Sequence, residues 1–181
     1  MLHTIILFVH VASAMGIIAG VGIEGFALAN LRHAGAGEGL GRSLGIFRQA
    51  QRVAGPSMGL TLLSGLYLAG AYWGWKQGWV DVTIGSIVVL AVIGGAMTGR
   101  VLARVGKAAP NAPAAGALAT LRTSYLLRVA VLAGIVFLMT NKLAAWPSIL
   151  TILIAMAIAL LADFATGRGR RHAVAERTAS R

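Results

Sequence analysis

The chain has no cysteine among its 181 residues, which excludes disulfides, thiolate metal sites, c-type haem attachment and thiol nucleophiles together. Charge is scarce as well: 12% of residues are Asp, Glu, Lys or Arg, and only five are acidic, namely Glu24, Glu38, Asp81, Asp163 and Glu176. Five acids leave little for a proton relay, and so few charges cannot cover the surface of a water-soluble domain. The phosphate-binding Gly loop followed by Lys and Ser or Thr, the paired histidines of a zinc helix and the nucleophile elbow are all missing. The chain therefore reads as non-enzymatic, without recognisable catalytic machinery.

What is present is apolar: 57% of residues are hydrophobic and the mean hydropathy is +0.79. A net charge of +11 does not point to nucleic acid, because the basic residues lie between apolar runs and not on one folded polar face. A helix rising ~1.5 Å per residue needs roughly 20 apolar residues to cross ~30 Å of hydrocarbon. Five segments qualify, at about 2–31, 55–75, 79–103, 118–141 and 146–165. Their runs are continuous and lack the alternation of barrel strands, so the expected fold is an all-α membrane protein, a bundle of five transmembrane helices over 1–166. Pro56 suits the first turn of the second helix. Ala12-Ser13-Ala14 imitates a signal-peptide cleavage site, but no Lys or Arg precedes Arg32 and the apolar run continues, so the segment reads as a retained span.

Orientation follows from the 16 Lys and Arg. Fourteen fall after spans one, three and five or at the inner end of span four; only Lys76 and Lys142 fall on the other side. This alternation expects the N-terminus outside and the C-terminus in the cytoplasm, in the cytoplasmic (inner) membrane. Trp73, Trp75, Trp79 and Trp146 lie in the two short outer connections, where indole favours the headgroup layer. The Gly-rich stretch 33–45 and the Pro- and Ala-rich stretch 105–117 read as flexible linkers. The basic tail, 167–181, reads as disordered and held, like the inner loops, at anionic headgroups.

Small residues mark helix-packing faces: Ala12, Gly16 and Gly20 in span one, Gly55 and Gly59 in span two, Gly94, Gly95 and Gly99 in span three. They serve packing within the bundle or the seam of a homo-oligomer or other membrane partner. Ser57, Thr61 and Ser64 are expected to bond helical carbonyls or a neighbouring helix. His3 and His10 share one face of span one with Glu24 further along it. Either His10 is hydrogen-bonded inside the bundle, or it is a ligand. Haem b would use His10 with a methionine. Copper would use His3, His10 and Met139, two imidazoles and a soft thioether near one membrane surface.

Depth singles out one more pair. Only 13 uncharged residues separate Arg128 from Lys142, so Arg128 must lie below the headgroups. Glu24 is ~12 Å from the inner end of its span and Arg128 ~9 Å from the inner end of its own. A Glu and an Arg at one level are expected to face inward and pair; the alternative is an Arg128 that snorkels beside a protonated or hydroxyl-bonded Glu24.

The segment Leu7-Phe8-Val9-His10-Val11, with Gly16 and Gly20, resembles the first helix of a bacterial family of predicted integral membrane proteins of unknown function. Pro56 to Leu66, the Trp79 opening of span three, and Leu127-Arg128 to Met139-Thr140-Asn141-Lys142 are similar to later parts of that family, so the resemblance covers about residues 2–145. At its first helix that family is distantly similar to CopD-type copper-resistance membrane proteins and to HemJ-type, haem-associated protoporphyrinogen oxidases. For this chain the resemblance implies a cofactor at the His10 position alone.

Three functional expectations follow: an accessory or scaffold membrane protein, a haem- or copper-binding protein centred on His10, and a small permease. The last would need polar residues lining a shared mid-membrane cavity.

Overall fold

The computed structural model describes residues 1–33, 38–75, 77–107 and 115–179, without the side chains of 32–33, 38–40, 73, 105–107, 115 and 167–179. Every regular element in it is helical: α1 (Leu2–His33), α2 (Glu38–Leu68), α3 (Gly78–Val92), α4 (Arg100–Lys107), α5 (Ala115–Asn141) and α6 (Ala145–Ala179). Five stretches are long and apolar enough to cross a bilayer: Leu2–Leu31, Gly41–Tyr72, Gly78–Arg104, Gly116–Asn141 and Ala145–Thr166. The chain is a multi-pass helical membrane protein. Its outward faces carry exposed Phe8, Met15, Leu63, Leu153, Leu161 and Phe164, an apolar surface suited to contact with lipid.

Two π-helical segments interrupt the regular turns. Ala69–Trp73 closes α2, and Ile93–Gly99 joins α3 to α4 so that the third span continues through it. After the first, Gly74 takes φ +74°, open to glycine at little cost, and its N–H donates to Ala69 O at 2.8 Å, turning the chain towards α3. At the start of α3, Gly78 lies so close to the Ala145 backbone that a side chain has no room there, which pins the openings of α3 and α6 together.

The second span begins earlier than the sequence expects. Pro56 sits inside α2, not in its first turn, and the helix starts at Glu38. The physical reason is packing: Phe47 and Ala50 are buried, Phe47 against Ala27, Leu28 and Leu31 of α1, so the turns before Pro56 are held although the proline removes one backbone donor. At 31 residues, α2 is ~46 Å long and outreaches the hydrocarbon, carrying Arg42 and Arg48 towards its end. Most of the stretch 33–45 is thus helical and not a linker, and α4 extends helix to Lys107 within the other expected linker. α6 likewise continues helically to Ala179, through the stretch read as an irregular tail.

α1 and α2 form an antiparallel hairpin, with Gly16 against Ser57 and Gly20 against Ala54 and Ala50. In lipid, such close backbone approach supplies dispersion contacts where no hydrophobic driving force separates helix from solvent. The small residues of the other two faces behave differently. Gly55, Gly59 and Gly95 face open space instead of a neighbouring helix. α5 lies against α1, α3 and α6, and its Val131, Ile135 and Leu138 form a central core with Ile87, Leu90 and Ile152. α6 rests on α5 and α3 and leaves most of its surface to lipid.

Candidate functional site

Trp75, Trp79, Trp146 and the start of α1 gather at one end of the bundle; Arg42, Arg100, Arg104 and Arg122 gather at the other. His10 belongs to the half nearer the tryptophans. Its Nδ1 lies 3.1 Å from Thr61 O and 3.1 Å from Ser64 Oγ across the α1–α2 hairpin. A carbonyl can only accept, so Nδ1 carries the proton, and in the neutral ring Nε2 is left as the acceptor. The position is reinforced: Thr61 Oγ1 donates to Ser13 Oγ at 2.8 Å, Ser13 Oγ donates to His10 O at 3.0 Å, and Ser64 Oγ donates to Leu60 O at 2.5 Å. The His10 ring also lies where any Cβ on Gly65 would meet its Cε1 at 3.0 Å, so glycine there makes room for the ring.

One face of this arrangement borders a cavity of about 180 Å³ between α1, α2, α3 and α5. Its walls are largely apolar, from Leu7, Leu62, Leu66, Val80, Ile84 and Ile87, and Trp79 closes it towards the tryptophan end. Against that background five groups differ in chemistry: His3, His10, Thr61, Thr83 and Met139. Thr83 is 3% exposed, and its Oγ1 has no hydrogen-bond partner; the same holds for His3 Nδ1. The His3 ring leans on Tyr72 with centroids 4.2 Å apart. A buried hydroxyl without a partner costs about 1–3 kcal/mol, a cost that a bound molecule with a complementary oxygen would remove.

The structure therefore brings His3, His10 and Met139 to one cavity. Two imidazoles and a thioether suit a soft monovalent copper ion, and the Nδ1–H of His10 bound to a backbone carbonyl is the arrangement that orients a ligating Nε2. Among the described residues no group of three His, Cys, Asp or Glu side chains comes together, so a hard-ion or zinc cluster has no support here. The residues do not fit haem b: about 180 Å³ suits a single ring and is far too small for a porphyrin.

Deeper in the bundle, Glu24 and Arg128 meet as an ion pair through Glu24 Oε2 and Arg128 Nη2. Both are buried, at 1% and 5% exposure. Arg128 Nη2 also donates to Thr98 Oγ1 at 3.3 Å, and Nε donates to Ser124 O at 3.4 Å. Thr98 and Ser124 hydroxyls share a 2.8 Å bond, and Ser124 Oγ reaches Ile93 O at 3.5 Å. That last contact serves a carbonyl at the start of the second π-helical segment, where the regular ladder is broken. Glu24, Gln51 and Arg128 border a hollow of about 370 Å³ with Gly94, Gly95 and Gly99. The two charges there answer each other, which leaves the hollow without a net charge to attract an ionic solute. At the arginine end, Arg122 Nε pairs with Asp163 Oδ1 at 3.0 Å, and Thr123 Oγ1 donates to Oδ2 of the same carboxylate.

Thr83 is the site residue that the sequence reading misses. Its signal was a hydroxyl in a largely apolar span, one turn from Trp79 and one turn from Ile87. Compared with known proteins, the chain matches no family model, no curated protein and no solved structure.

Proposed function

We propose that this membrane protein is a binding protein for a lipid-soluble, single-ring molecule carrying a hydroxyl group, held in the cavity at His10. The observation that carries the reading is the pair of buried, unpartnered groups, Thr83 Oγ1 and His3 Nδ1, on the wall of an otherwise apolar cavity. His10 Nε2 accepts a proton donor from the ligand, and Thr83 answers a second oxygen on the ring. A volume of about 180 Å³ is close to the ~150 Å³ of an apolar cavity known to take up benzene. No reaction step is assigned to the site; the reading narrows an accessory role to ligand binding. Calorimetric titration of the detergent-purified protein with tail-free 2,3-dimethylhydroquinone, kept reduced, tests it. Saturable one-to-one binding is expected, weaker by about tenfold or more for the matching quinone, which has no O–H to offer Nε2. Equal affinity for both, or binding unchanged in His10→Ala, overturns it.

The convergence of His3, His10 and Met139 favours a second reading, copper(I) held by these three side chains. The resemblance at His10 to copper-resistance membrane proteins supports it. Stoichiometric copper that survives dialysis and is lost in His10→Ala would establish this reading; copper-free protein that still binds the hydroquinone would remove it.

The fourteen-to-two distribution of Lys and Arg supports a cytoplasmic-membrane location with the tryptophan end outside and the arginine end at anionic inner-leaflet headgroups.

A further inference from the structure

α2 lies along the length of α1 but touches α3 only sparsely, and the gap between α2 and α3 is walled almost entirely by apolar groups. The gap adjoins the His10 cavity. Leu62 and Ile87 border both the cavity and a cleft of about 450 Å³ that runs on along Met58, Gly59, Gly55, Val88, Ala91 and Val92. Gly55 and Gly59, both exposed, keep it open: a Cβ on either would meet nothing within 4 Å, so a larger residue there would occupy the cleft. From Ile87 to Val92 the cleft follows α3 for ~8 Å through the hydrocarbon. It opens sideways to lipid, and its lining side chains offer a passing chain no hydrogen-bonding group.

A polar-headed cavity beside an apolar cleft at membrane depth matches the two halves of an amphiphile. We infer that the ligand is a hydroxylated ring on a long apolar tail, a prenyl- or alkyl-hydroquinone, with its ring at His10 and Thr83 and its tail in the α2–α3 cleft over Gly59 and Gly55. This rests on the reading of the cavity given above. Because the tail leaves lipid and not water, it gains contact with the cleft walls without a hydrophobic transfer term, so its contribution is one of shape.

The test compares tail-free 2,3-dimethylhydroquinone with the same ring bearing a decyl chain, titrated into protein in one detergent so that partitioning is common to all variants. Wild type is expected to bind the decyl compound about tenfold more tightly than the tail-free one. Gly59→Leu and Gly55→Leu fill the cleft, replace glycine with a better helix former, and are expected to cut that gain to below about threefold with tail-free affinity unchanged. Gly22→Leu, on a face of α1 that is equally open but outside the cleft, is the control and is expected to leave both affinities alone. Tail-free binding without any gain from the decyl chain, or a gain that survives Gly59→Leu, overturns the inference and leaves the ring site standing. Loss of tail-free binding in the wild type overturns the ring site itself. If Gly59→Leu instead dissociates a dimer, seen by light scattering, and spares the decyl gain, the cleft seats a second copy and the inference is wrong.

Discussion

Arg128 of α5 places its guanidinium against the carboxylate of Glu24 on α1, and both side chains are almost wholly removed from the surrounding lipid. Breaking such a pair by neutralising one partner strands the other charge, at a cost of about 3–5 kcal/mol, whereas removing both charges costs less. Glu24→Gln and Arg128→Gln are each expected to lower stability in detergent unfolding, Arg128→Gln the more because it also takes donors from Thr98 and Ser124 O. The double variant is expected to lose clearly less than the two single losses combined. Additive losses would show that the two charges do not stabilise each other.

The α1–α2 hairpin depends on close approach at Gly20, where a Cβ would lie 2.8 Å from Ala54 Cβ and 3.2 Å from Ala50 O. Gly20→Ala is expected to destabilise the bundle by about 1–3 kcal/mol, since backbone on the facing helix must move. Gly22→Ala, two residues on and facing open space, is expected to be neutral within about 1 kcal/mol. Equal effects of the two would mean that the hairpin does not pack in this register.

Gly65 sets the position of the His10 ring. In Gly65→Ala the new methyl group meets Cε1 at 3.0 Å and Nδ1 at 3.4 Å, so the ring must shift by a few tenths of an ångström. The expected result is an intact bundle with hydroquinone affinity reduced about tenfold, the scale of one charge-free hydrogen bond. Ser64→Ala, which leaves Thr61 O to receive Nδ1–H, is expected to change affinity less. Gly65→Ala with undiminished binding would show that the ring does not touch the ligand.

Orientation is open to direct labelling. In this cysteine-free chain, a cysteine introduced at Gln77 is expected to react with an impermeant maleimide applied to intact cells, and one at Ala112 only after lysis. The reverse pattern would invert the proposed topology; reaction of both from one side would contradict five crossings.

The number and type of the spans were legible because long uninterrupted apolar runs in a chain with so few charges admit only helices. The start of α2 was not, since Pro56 is as well placed for a first turn as for a tolerated interior position, and only the burial of Phe47 and Ala50 against α1 decides between them. The π-helical segments left no trace in the pattern, because one extra residue per turn hardly alters an all-apolar run. Depth counting singled out Glu24 and Arg128, and the structure brings them together; it could not supply Thr98 and Ser124, whose role depends on the rotation of α3 relative to α5. For the cavity, sequence spacing named His3, His10 and Met139 but not Thr83. Gly55 and Gly59 misled for a related reason: glycine at fourfold spacing permits close packing without requiring it, and here the face stays empty.

The position of α6 at the edge of the bundle bears on the order in which the molecule is made. Among the described residues, those that border the His10 cavity lie between His3 and Met139, and none comes from α6. During synthesis these walls have all been made once Met139 has been added, before α6 leaves the ribosome. α6 therefore adds a brace to α5 and α3 beside a cavity whose walls the earlier spans supply.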